Sequence, residues 1–456
     1  MTAIHELSVV EAGRLMRAGE LRSVELTANA LQRIADFNRE LHAFVSVFAD
    51  QAMLQAEAAD AEMVKGIDRG PLQGIPFALK DIIDVAGVST TCGSPAFINN
   101  LPASDAEIVT RLKKAGAVLL GKLATYEFST VGPDFNTLHP PAHNPHNTAH
   151  ITGGSSSGCA AAVAAGFTRI TIGSDGGGSI RSPAAYCGCV GLKPTFGGLP
   201  LDGFQPLSPT LDHGGLLTAT VEDAAVLFDV ITGAHTLSSL RKGVAGLRIA
   251  YARSWSAGIS EPAIEQALDA AVEILRKRRA AVTEIDIPDY SDYEACGTVI
   301  IQHEALQTYA TLLKSARADE IGRLAFQNLV TGAVLTNEDV DIARQRQAEL
   351  QAAFEHQIFG PFDALICAST LTTAPAFSYF DDGPRWTAMR TFPFNVTGHP
   401  ALALPTGLAP SGLPMGLQLV GPKNGEAMIC RIGQALESFQ NLRFSPITGA
   451  TAPILN

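Results

Sequence analysis

The chain has 456 residues, 46% hydrophobic and 17% charged, so it can bury a large core and is not a disordered polymer. Its formal net charge of −12 argues against a surface that neutralises phosphate, and no direct nucleic-acid partner is expected. No apolar run approaches the ~20 residues that span a bilayer, and "MTAIHELSVVEAGRLMRAGELRS" lacks the charged head and unbroken apolar stretch of a secretory signal, so the expectation is a cytoplasmic protein with no membrane partner.

In chain order, residues 8–37 read as two helices, and Ser104 with Glu107 has capping-box spacing, which predicts a helix from there to about Gly116. "AVLLGK" is strand-like. An alanine-rich helix is predicted from about Ser156 to Ala165, closed by Gly166 and capped by the side chain of Ser155 or Ser156. "TRITIGS" is a β-branched strand that runs into a glycine cluster. "GLRIAYA" is another strand, and Ile264, Leu268, Val272 and Leu275 give one apolar face to a helix behind Pro262. "AVTEIDIP", "FDALICAS", "ALALPTGL" and "PMGLQLVG" supply further strands, the last two parted by the turn-forming "APSG". Strands and helices interleave without a long linker or repeat. The expected class is α/β, one layered domain on a large mixed, mostly parallel central sheet covered by helices on both faces.

The seven cysteines are odd in number and scattered through apolar contexts, which predicts buried free thiols. His139, His143, His146 and His150 crowd one stretch, but Pro140, Pro141 and Pro145 break any helix that would align them, and a solvated loop is the expectation rather than a metal site. No cofactor is called for.

Chemistry concentrates in three segments. "ITGGSSSGCAAAVAAG" holds Ser155, Ser156 and Ser157 between a glycine pair and the predicted helix. Its Gly154-x-Ser156-x-Gly158 pattern matches a nucleophile elbow, but the proline- and histidine-rich segment before it is no buried strand. One helix and one strand later, "GSDGGGSIRSPAAYCG" sets Ser179 behind Gly176, Gly177 and Gly178. Their backbone N–H groups, with that of Ser179, suit an oxyanion hole beside a nucleophilic hydroxyl; a serine-capped glycine turn is the plainer alternative. "GIPFALKDIID" ends an apolar strand on Lys80. A neutral lysine at pH 7 ordinarily costs roughly 4–5 kcal/mol, so a basic Lys80 must be buried and without a permanent acid partner. Pairing with Asp81 or Asp84 is the ordinary alternative.

Together these segments resemble the amidase signature family, through "GIPFALKD", "GGSSSG" and "GSDGGGSIRSPAAYCGCVGLKPTFG" in that order, followed by "HPALALPTGL" and "GLPMGLQLVG". The likeness runs over about residues 70–435. It implies a single amidase-signature domain over residues 1–456, with a helical part at 1–65, a signature core at 70–200 and a variable substrate-facing part at 240–395. It also implies a Ser-cisSer-Lys triad: Ser179 as the acylated nucleophile, Ser155 on a cis peptide after Gly154 as proton relay, and Lys80 as base. Ser156 would support the network, and Asp175 and Arg181 would pair to hold the loop. Gly176 departs from the family's usual threonine or isoleucine, which implies a looser loop or room for a bulkier substrate.

The implied reaction is hydrolysis of a small or aryl carboxamide through an acyl-enzyme, releasing ammonia or an amine, with a small-molecule amide as partner and room for a homodimer. The alternative is the glutaminase component of a glutamyl-tRNA amidotransferase, which passes ammonia to a partner. A third reading, a binding protein that has lost catalysis, is opposed by the presence of all three triad positions. Substrate-lining residues are not assigned; Cys92, Tyr126, Phe128, Arg385, Trp386 and Arg390 are the candidates, with Trp386 expected in the core.

Overall fold

The computed structural model describes residues 3–383 and 385–440. Its strands are β1 (Phe44–Val47), β2 (Pro76–Lys80), β3 (Val118–Leu123), β4 (His143–Asn144), β5 (Asn147–Ile151), β6 (Ile170–Asp175), β7 (Val190–Lys193), β8 (His213–Thr218), β9 (Arg248–Tyr251), β10 (Ala281–Glu284), β11 (Ala364–Ala368), β12 (Ala401–Leu408) and β13 (Pro414–Val420). Among the described residues, eleven of them form one sheet in the order β1-β3-β2-β6-β8-β7-β12-β13-β11-β9-β10, while β4 and β5 pair separately. β2 runs parallel to β3 and β6, and β9 to β11 and β10. The other six neighbouring pairs are antiparallel. The sheet is therefore mixed as expected, but parallel pairing does not dominate. Direct reversals such as the turn between β12 and β13 return the chain antiparallel, and only crossovers keep neighbours parallel.

Side-chain alternation along the strands feeds two faces. Phe77, Leu79, Ile170 and Ile172 enter a core with α1 (Val9–Arg17), α4 (Glu107–Lys114), α7 (Val221–Thr232) and α8 (Pro262–Lys277). Ala78, Val118 and Leu120 face the other way, against α2 (Ser23–Leu41), α3 (Ala49–Val64), α5 (Ser157–Ala164) and α6 (Arg181–Cys187). A third cluster joins Ala250, Leu365 and Val420 to α9 (Tyr290–Thr308) and the helix Asn337–Phe354. Helices thus cover both faces.

The Ser104 capping box does not form. α4 begins at Glu107 behind Ala106, with no side-chain cap. Asp105 instead accepts from the Ala86 N–H at 2.9 Å and pairs with Lys113 at 2.7 Å, which holds the chain extended up to Ala106. All seven cysteines are free and buried. Among the described residues no helix is long and apolar enough to cross a membrane.

Candidate active site

Because β2 and β6 are parallel neighbours with Leu79 opposite Ile172, their carboxyl ends set Lys80 beside Ser174 and Asp175. This is the end of a parallel pair where connecting loops are free to build a site. Lys80 is wholly buried. Its Nζ donates to Ser155 Oγ at 2.7 Å and to Ser174 Oγ at 3.0 Å. The strand-end ion pair does not occur: Asp81 pairs with Lys122 at 3.0 Å and accepts from Thr91, and among the described residues no carboxylate lies within ion-pair distance of Lys80. Burial pulls the Lys80 amine down to about 8, against the raising influence of Asp212 and Asp175. The neutral form at pH 7 is therefore far less costly than for an ordinary lysine.

The Gly154–Ser155 peptide is cis. The Ser155 carbonyl accepts from the Tyr126 N–H at 3.2 Å, and the next N–H, that of Ser156, donates to the Ser179 carbonyl at 3.2 Å. This bond ties the serine cluster to the glycine loop. A Cβ on Gly154 would collide with the Tyr126 ring. Gly154→Ala is therefore expected to destabilise the protein by about 1–3 kcal/mol through overpacking, read as a fall in the denaturation midpoint.

The predicted cap on α5 is not made: no side chain caps it. Ser156 Oγ donates to the Ser174 carbonyl at 3.1 Å and accepts from the Ser174 N–H at 3.4 Å, while Ser155 Oγ is taken by Lys80. The helix start is satisfied in part by the Ala124 carbonyl, which accepts from the Gly158 N–H at 3.0 Å. Both hydroxyls are thus turned towards β2 and β6.

The glycine loop is pinned by an ion pair in which both side chains are fully buried. Arg181 reaches Asp175 through Nε at 3.0 Å and Nη2 at 2.8 Å, and also donates to the Thr391 carbonyl and Asn395 Oδ1, each at 2.6 Å. Burial pushes the Asp175 carboxyl up, but the charge and hydrogen bonds of Arg181 outweigh it and leave the group well below the usual carboxylate range. Arg181→Ala would strand this carboxylate, a loss of about 3–5 kcal/mol that chemical denaturation should register.

Asp175 also accepts from the Gly178 N–H at 2.8 Å and the Ile180 N–H at 3.0 Å. The Gly178 N–H is therefore spent on the carboxylate rather than facing an oxyanion. Gly178 serves the loop through its φ of +138°, with Thr391 packed where a Cβ would lie. The N–H groups of Gly176, Gly177 and Ser179 make no hydrogen bond to another described residue.

Ser155, Gly176, Gly177, Gly178 and Ser179 line one cavity of about 260 Å³. Tyr126, Arg385, Trp386 and Arg390 line it too, whereas Cys92 and Phe128 belong to the core beneath. Trp386, expected inside, is 65% exposed. The histidine group does not assemble. His143 Nδ1 lies 2.6 Å from the Thr148 carbonyl, His146 Nε2 3.1 Å from that of Cys187, and His150 Nδ1 2.7 Å from that of Ala374. Among the described residues no metal-ligating cluster is found.

Sequence reasoning missed Ser174, the second partner of Lys80, although it stands directly before Asp175. It also missed the Thr391–Asn395 clamp and Asp212, which come from distant segments.

The amidase family model matches residues 25–430. The chain belongs to the amidase family. The A-type component of the glutamyl-tRNA(Gln) amidotransferase of Roseiflexus sp. (strain RS-1) is 35% identical, over 96% of this chain and 97% of its own. The native peptide amidase of Stenotrophomonas maltophilia superposes with a TM-score of 0.83 at 28% identity, covering 97% and 99% of the two chains. A protein from a vestigial complex connected with the origins of an s-triazine catabolic enzyme reaches 0.89 at 32% identity, covering 95% and 98%. As an amidase-family protein with the amidase-signature fold, the chain is a hydrolase of carbon–nitrogen amide bonds.

Proposed function

We propose that this amidase hydrolyses a small or aryl carboxamide through a covalent acyl-enzyme on Ser179. The observation that carries the reading is Lys80: buried, without an acid partner, and hydrogen-bonded to the Ser155 hydroxyl at 2.7 Å. Neutral Lys80 takes the Ser155 proton as Ser155 takes that of Ser179, and Ser179 Oγ attacks the carbonyl carbon. The resulting oxyanion rests on the N–H groups of Gly176, Gly177 and Ser179. Lys80 returns the proton through Ser155 to the leaving nitrogen, the C–N bond breaks, and ammonia or an amine departs. Water then repeats the relay and frees the acid. Tyr126, Met389 and Trp386 on the cavity wall suit an apolar or aromatic acyl group.

A second reading, the glutaminase component of an amidotransferase complex, is favoured by relatives that are 32–35% identical along 95–96% of this chain. The purified chain separates the two. Ammonia release from acetamide, benzamide or similar amides without any partner supports the first. Glutamine turnover confined to a heteromer supports the second and overturns the first.

A further inference from the structure

We propose that Asp212 is the specificity-determining acceptor of the catalytic cavity and takes an ammonium or N–H group carried by the substrate next to its scissile carbonyl. The proposal rests on the amide-hydrolysis reading above and names the substrate class it serves.

Asp212 is 9% exposed and lines the cavity beside Gly176. Its Oδ2 accepts from the N–H groups of Leu207 at 2.8 Å and Ser208 at 2.9 Å. Among the described residues nothing donates to Oδ1. Oδ1 opens on the cavity without a donor from a described residue, so a donor carried by a ligand can take the place of solvent there. Oδ1 is held in place because its loop is anchored from outside. Glu304 accepts from Ser208 Oγ at 2.6 Å and Thr210 Oγ1 at 2.7 Å and pairs with Arg344.

The family departure at Gly176 now has a physical consequence. A Cβ there would stand 2.9 Å from Asp212 Oδ1. The missing side chain gives the carboxylate edge access to the loop that carries the N–H groups, rather than room for bulk. Burial pushes the Asp212 carboxyl up to about 6, so it is ionised at neutral pH. Neither arginine of the cavity wall pairs with Asp212. Arg390 donates to the carbonyls of Trp255 and Met389 at 2.7 and 2.9 Å, and Arg385 pairs with Asp382 at 3.0 Å. Beside the N–H groups that would hold the oxyanion, Asp212 Oδ1 is thus an acceptor that fits a substrate donor.

The test is calorimetric binding to the Ser179→Ala protein, comparing glycinamide, with its α-ammonium, against neutral propionamide of the same size. Glycinamide is expected to bind about tenfold more tightly or better. Adding Asp212→Asn, which keeps one oxygen for the Leu207 and Ser208 N–H groups, should abolish that preference. Adding Gly176→Ala, which crowds Oδ1 without touching that anchor, should weaken it, so the proposal is judged even if the asparagine variant folds poorly. Equal affinities, no binding of either amide, or a preference that survives both substitutions overturns the proposal. The hydrolytic reading fails separately: a wild-type protein that releases no ammonia from glycinamide, while the binding preference holds, would count against hydrolysis and leave the role of Asp212 standing.

Discussion

Replacing Ser179 with alanine is expected to lower kcat/KM for any amide the wild type hydrolyses by at least about 10⁴-fold, because the covalent route loses its only acylated atom. The fold should survive. The Ser179 side chain is only partly buried, and the loop is held by backbone bonds, chiefly Ser156 N–H to the Ser179 carbonyl at 3.2 Å, and by Asp175 with Arg181. Ser155 is the rival nucleophile, since it lines the same cavity and already contacts Lys80. A fluorophosphonate probe distinguishes them by the site of the adduct in peptide mass spectra. Modification of Ser179 is expected. Modification of Ser155, or an active Ser179→Ala enzyme, would reverse the two assignments.

Lys80→Met should reduce turnover by about 10²–10⁴-fold, the usual contribution of a positioned base. Methionine matches the length of the lysine stem and needs no partner in a buried site. The substitution should not lower stability below neutral pH, and the sign follows from linkage. An unfolded lysine titrates near its ordinary value, whereas Lys80 is depressed to about 8 by burial. Below pH 8 both states are protonated and the folded wild type bears the whole penalty, roughly 3 kcal/mol. As pH rises from 8 towards the unfolded value, the native state has already released its proton, and wild-type stability recovers. Denaturant titrations at several pH values should find that recovery in wild type and not in Lys80→Met.

Much of this site is legible as local pattern. The strand ending at Lys80, the strand ending at Asp175 and the serine cluster each announce themselves by composition, and the resemblance supplies their order and roles. What stays hidden is long-range. Asn395 and Thr391, which hold Arg181, lie more than 200 positions away and carry no motif. The helix α9 was not foreseen: Tyr290, Glu294, Thr298 and Gln302 face the cavity while Tyr293, Cys296 and Ile300 face the core, so its apolar face is interrupted. β8 was missed because "HGGLLT" is poor in β-branched residues. Its Gly215 is there for packing, since a Cβ would strike the side chain of Ile180, the residue after Ser179. The expected caps failed for different reasons. The Ser156 hydroxyl is taken by the Ser174 backbone, whereas Ser104 lies before a segment that Asp105 holds extended through Ala86 and Lys113, so the helix starts only at Glu107.

The pH dependence of kcat/KM tests the central claim most directly, that an uncharged Lys80 drives Ser179 through Ser155. A single acid limb with its midpoint near pH 8 is expected in wild type, with the residual activity of Lys80→Met showing no such limb. Activity that does not rise through this range in wild type, or a limb that persists unchanged in Lys80→Met, would contradict it.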